Sequence, residues 1–214
     1  MKKIILVVLT FYLVGATAQP EGFKSVTAEE KTNLVNKITE ASKKTQSMQC
    51  NFTQDKKISF MTETSSSSGI MYYKNPTSIR WEYLTPQSYL FIVHNDKIYL
   101  KNNQGGASQF NANGNKMFKA MSEMILGFIN GKELQNSHNF KIEYYLNEKQ
   151  VLVKLIPIQK EMKQMMTSIE LYLDPKNYLA QKIIMNEKNG DTTLFTFKNI
   201  QRNISISDSK FNLQ

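Results

Sequence analysis

Cysteine is almost missing from this chain: Cys50 is the only one in 214 residues. No internal disulfide can form, which excludes the small disulfide-stapled secreted scaffolds. Histidine is nearly as scarce. His94 and His138 stand far apart, with no HxxH, no CxxC and no clustered third ligand, so there is no metal site to assign. A G-x-S-x-G elbow and a phosphate-cradling glycine loop are absent too. Neither an enzyme nor a cofactor is therefore expected. Blocks of basic residues are also lacking: the net charge of +9 is scattered among acids and strand formers. That pattern, without an RNP-like motif, speaks against a nucleic-acid partner.

The N-terminus carries an address. Lys2 and Lys3 precede the apolar run Ile4 to Val14, and Ala16-Thr17-Ala18 follows it as an A-x-A cleavage site. Eleven residues rise only about 16 Å as helix, against a hydrocarbon core of roughly 30 Å. The run reads as a cleaved export signal over residues 1–18, followed by a single domain over 19–214. No Cys follows the cleavage site, so no lipid anchor is expected.

Thr27-Ala28-Glu29-Glu30 is a capping box, and Leu34, Val35, Ile38 and Ala41 form an apolar stripe at helical spacing. From Met48 the period changes to two. Strands are expected at 48–60, 69–74, 78–84, 88–94 and 97–101, with the Ser65–Ser68 tract as a loop tip and Asn102 to Asn115 as a long loop. A second helix is expected over Lys116 to Asn130, closed by Gly131. Further strands follow at 139–147, 150–157, 167–173, 179–187 and 191–200, the last pair hinged at Asn189-Gly190. Phe211 falls in a closing strand. Cys50 alternates with Met48 and Phe52 and reads as a buried thiol.

A sheet of this length curls or closes to limit its open edges, and its inner face needs a cover. Trp81, Tyr83, Phe91, Phe195 and Phe197 are the expected apolar interior. Met117, Met121, Met124, Ile125 and Phe128 are the expected underside of the second helix. Methionine fills irregular space, so these residues suit both an ordinary core and a movable cover.

The motifs Phe52-x-Gln54, Gly69-x-x-Tyr72-Tyr73, Pro76-x-x-x-Arg80-Trp81-x-Tyr83-x-x-Pro86 and Asn189-Gly190-Asp191-Thr192-Thr193 resemble, in order, the periplasmic outer-membrane lipoprotein carriers of the LolA type. The resemblance implies a half-open antiparallel β-barrel whose concave apolar face is lidded by α-helices; the strand pattern itself supplies about 11 strands. It further implies a soluble, monomeric periplasmic protein of a Gram-negative bacterium. Such a carrier takes triacylated lipoproteins from an inner-membrane ABC-type releasing complex and passes them to the outer membrane, where the acceptor is unspecified. Many of these carriers place an Arg directly before the turn proline, tying sheet to lid. Asn75 stands there in this chain, and Arg80 becomes the candidate latch. Two other readings share the residues: a binder of lipid or acyl intermediates in envelope biosynthesis, and an envelope adaptor without an apolar ligand.

Overall fold

The computed structural model describes residues 19–95, 97–111, 126–127, 129, 131–135 and 137–213. The expected export signal lies outside these residues, as do Met117, Met121, Met124, Ile125 and Phe128 of the expected second helix.

Helix α1 (Ala28–Lys43) starts where its capping box is. Thr27 Oγ1 accepts from the Glu30 amide at 3.3 Å, while the Glu30 carboxylate accepts from the Thr27 amide at 2.7 Å. Two donors that a helix start leaves orphaned are thereby satisfied. Leu34 and Ile38, one turn apart, point into the core.

Among the described residues the strands form a single antiparallel sheet of 12. In chain order these are β1 (Lys24–Ser25), β2 (Ser47–Lys57), β3 (Thr64–Lys74), β4 (Ser78–Thr85), β5 (Tyr89–His94), β6 (Lys97–Asn102), β7 (Ala107–Asn111), β8 (Phe140–Leu146), β9 (Val151–Pro157), β10 (Met166–Leu173), β11 (Ala180–Glu187) and β12 (Thr192–Arg202). Their spatial order is β1-β8-β9-β10-β11-β12-β2-β3-β4-β5-β6-β7. Two hairpin meanders, β2–β7 and β8–β12, thus meet along one seam where β12 pairs with β2. The sheet curls but does not close, because β1 and β7 are its outer edges. Short helices α2 (Lys132–Gln135) and α3 (Lys160–Met165) sit in the connections.

Four expectations are corrected. The Ser65–Ser68 tract is not a loop tip but part of β3, paired residue for residue with β2 from Lys56 to Thr53. Ser66 Oγ donates to Asp55 Oδ1 at 2.5 Å, and Ser68 Oγ meets Thr85 Oγ1 at 2.7 Å. A continuous ladder with β2, joined at Ser68 by Thr85 of β4, outweighs the weak strand preference of serine. Residues 102–115 contain a strand, β7, held by β6. The lead from Gln19 to Val26, whose sequence reads as a short loose segment, contributes β1, which pairs with the end of β8. Phe211 lies in a 3₁₀ turn, Asp208–Phe211, and not in a strand.

Gly69 explains itself in this setting. A Cβ there would come within 1.9 Å of the Glu82 carbonyl oxygen and 2.8 Å of the Phe52 ring. The β3–β4 register shifts beside it, so the strand tolerates only glycine where the Phe52 ring lies down over the backbone.

Candidate functional site: an apolar cavity under the helices

Between α1 and the concave face of the sheet lies a cavity of about 470 Å³. Two kinds of wall enclose it. One is aliphatic: Leu171 and Leu173 of β10 and Ile183 and Met185 of β11, with Ile38 and Ala41 of α1 above them. The other is aromatic. Trp81 and Tyr83 are two residues apart on β4, Phe195 and Phe197 two apart on β12, so strand alternation turns each pair inward. The buried Phe52 of β2 sits between them, with ring centroids 4.9 Å from Trp81, 5.0 Å from Tyr83 and 6.5 Å from Phe195. Trp81 meets Phe195 edge-on at 5.6 Å and Phe197 at 6.1 Å. Such tilted and T-shaped contacts are the favoured aromatic geometries.

Polar chemistry inside is minimal. No acidic or basic side chain lines the cavity among the described residues. Thr45 directs its hydroxyl back to the Ala41 carbonyl at 3.0 Å, and Tyr83 donates to Gln54 Oε1 at 2.6 Å. That last bond joins two of the motifs noted in the sequence. Burial pushes the Tyr83 phenol above its ordinary range, with the Trp81 indole N–H beside it acting in the opposite sense. Trp81 Nε1 is itself buried without an acceptor in hydrogen-bonding geometry. Burial also raises the Cys50 thiol to about 12, so at neutral pH it is an uncharged apolar group. The cavity can solvate hydrocarbon and little else.

Trp81, Tyr83, Phe91, Phe195 and Phe197 all stand on the cavity wall. Met117, Met121, Met124, Ile125 and Phe128, expected from the sequence on a second helix, lie outside the described residues. Their neighbours Leu126 and Ile129 are helical, pack against the aromatic cluster, and Ile129 reaches the cavity. Sequence reasoning left out the aliphatic wall. The signal was present in Ile169-Glu170-Leu171-Tyr172-Leu173, whose alternation assigns Leu171 and Leu173 to one face, but nothing local says which face is concave.

Arg80 is placed on the opposite, convex face. Its guanidinium donates to the Lys210 carbonyl at 3.1 Å and to Glu82 Oε2 at 2.9 Å. It thereby fastens the C-terminal turn, whose Phe211 is buried among Leu90, Ile92 and Tyr99. Asn75, the residue before the turn proline, bonds Gln46 through both side chain and backbone. Among the described residues no cluster could hold a metal ion, and no helix is long and apolar enough to cross a membrane.

The family model for the outer membrane lipoprotein carrier protein LolA matches residues 43–214. No curated protein sequence matches the chain. Among solved structures, an uncharacterized conserved protein from Thermus thermophilus superposes with a TM-score of 0.52 at 8% identity, over 84% of this chain and 91% of that one. The MucA/MucB complex of Pseudomonas aeruginosa gives 0.51 at 13% identity, over 86% of this chain but only 61% of its counterpart. A LolA superfamily protein from Nitrosomonas europaea gives 0.48 at 10% identity, over 88% and 99%. At these identities the likeness is one of fold.

Proposed function

The chain belongs to the outer membrane lipoprotein carrier family, and from that premise we propose that it is a periplasmic carrier which shields the acyl chains of lipoproteins. It would accept triacylated lipoproteins from an inner-membrane ABC-type releasing complex and carry them toward the outer membrane. Cleavage after Ala18 would deliver it to that compartment. The observation that supports the reading is the uncharged cavity of about 470 Å³ beneath α1.

Transferring hydrocarbon is worth ~0.8 kcal/mol per methylene, so acyl chains with about 40 methylenes in all would gain roughly 30 kcal/mol. That exceeds the ceiling of about 20 kcal/mol for reversible binding. A carrier must let go, so something has to compete with the cargo. Ile38 and Ala41 of α1, with Leu126 and Ile129, cover the cavity when it is empty. Their contacts are given up on loading, which lowers the net affinity. An adaptor without an apolar ligand would have no use for such an opening.

The test is mass spectrometry of material extracted from the native protein purified from its own envelope, with binding of an apolar fluorescent probe in parallel. Acylated lipoprotein N-termini are expected. A free lipid intermediate would replace the carrier role by lipid binding in biosynthesis. No bound material and no fluorescence gain would end both readings.

A further inference from the structure

Every well-exposed large apolar side chain among the described residues lies at one end of the sheet: Phe60, Met61, Leu84, Tyr89, Ile158 and Met165. Register puts them together. Lys57 pairs with both Thr64 and Thr192, Met166 with Glu187, Phe140 with Pro157 and Tyr83 with Tyr89. The β2–β3, β4–β5, β9–β10 and β11–β12 connections therefore all turn at that end. These strands are also consecutive in space, which makes the four connections one rim. Hydrogen bonds splice neighbouring parts of it. Lys188 N donates to the Met165 carbonyl at 2.9 Å, Ser59 N to Asp191 Oδ1 at 2.9 Å, and Ser59 Oγ to the Asn189 carbonyl at 3.1 Å. At the opposite end the turns are built from Asn75-Pro76, Asn95, Asn147-Glu148 and Asp174-Pro175 and carry none of the six.

A water-facing loop gains nothing from Phe60, which is 85% exposed, or from Met165 at 61%. Apolar tips gathered on one rim mark a surface that leaves water. The charge around them indicates for what. Lys57, Lys160, Lys163 and Lys188 are exposed on these same connections, against Glu63 and Glu161 as the exposed acids. Lys56 is turned aside to Glu187 at 2.9 Å and Asp191 at 3.9 Å. Apolar side chains interleaved with lysines are the composition of an interfacial membrane anchor.

We infer that this rim docks on an anionic lipid bilayer, with Phe60, Met61 and Met165 entering the boundary between headgroups and acyl chains and the lysines resting on lipid phosphates. Tyr89 belongs both to the rim and to the cavity wall, so docking sets the cavity's edge against the lipid. The inference stands on the rim alone and is independent of what the cavity carries.

The experiment is sedimentation of the mature, cargo-free protein with phosphatidylethanolamine vesicles, with and without phosphatidylglycerol. The protein should pellet with the anionic vesicles and be released by salt. Phe60→Ser with Met165→Ser should keep the parent's melting temperature, both residues being exposed, and lower the partition coefficient about ten-fold or more. Lys160→Gln with Lys163→Gln should weaken binding and flatten its salt dependence. Absence from the anionic pellet would overturn the inference. So would equal pelleting of the serine variant, or a rim that captures only a membrane protein and never the bare lipid.

Discussion

The two halves of the concave face are built on opposite terms. Under α1, strands β8 to β10 pack an aliphatic cluster in which Val153 and Leu155 are 0% exposed and Ile169 only 1%. Across the seam, the aromatic cluster buries Phe52 and Cys50 but leaves Trp81, Tyr83, Phe195 and Phe197 partly open to the cavity. The first half is closed by residues of this chain except at its margin, where Leu171, Leu173, Ile183 and Met185 also line the cavity. The second faces the cavity with broad rings. Stability therefore rests more on the branched aliphatics, which close a core, and the open surface more on the aromatic faces, which do not collapse onto it.

The strongest way to break the comparison is Leu155→Ala. This side chain is fully buried and does not reach the cavity, so the variant should lose about 3 kcal/mol of unfolding free energy. Urea titration checks that, and apolar-probe affinity in the surviving folded protein should match the parent. Loss of probe binding would mean that the halves are not separate. Next comes Phe195→Ala, which removes a half-buried ring from the cavity wall. Its stability cost should be smaller, about 1–2 kcal/mol, while probe affinity falls roughly ten-fold. A variant as unstable as Leu155→Ala with unchanged affinity would reverse the assignment.

Arg80→Leu sharpens the comparison from the convex side. It leaves the Lys210 carbonyl and Glu82 without their shared partner and should cost about 1 kcal/mol. Increased hydrogen exchange should be confined to the C-terminal turn, with Glu82→Gln milder. The latch proposed from the sequence predicts instead a change in cargo loading, which the same two variants would reveal.

The last effect is alkaline, and over the pH 9 to 10 window in which it can be isolated it amounts to about 1 kcal/mol. Burial lifts Cys50 to about 12, against an ordinary thiol value of 9.0. Below pH 9 the thiol is neutral folded or unfolded, and its contribution is complete. Above pH 9 the unfolded chain loses the proton first, and stability falls by up to about 1.4 kcal/mol per pH unit until the folded thiol also titrates near 12. Cys50→Ala should flatten that slope between pH 9 and 10, before the buried tyrosines begin to contribute.

Much of this could be read from residues alone. The Thr27 box, the Asn189-Gly190 hairpin and the period-two pairs Trp81/Tyr83 and Phe195/Phe197 are local signals, and local signals survive in sequence. What escaped was long-range. Ser65–Ser68 is strand because β2 offers it partners along its whole length; residues 107–111 are strand because β6 does. Phe211 is buried by the convex face and not by any periodicity of its own. Phe60, Met61, Ile158 and Met165 share no local pattern in the sequence. Only the strand order makes a rim of them.

The seam between β2 and β12 has a kinetic consequence. Each meander assembles from neighbours in the chain, which is fast, whereas Phe52 must wait for Phe197 to be synthesised before the two meanders can join. Contacts so distant in sequence form late and slowly. Until then β2 and β11 both present raw edges in the middle of the future sheet, where strand-to-strand aggregation starts. A chain interrupted before Thr192 should accumulate as insoluble material and not as a smaller folded domain, so quality control of this protein is set by its final long strand.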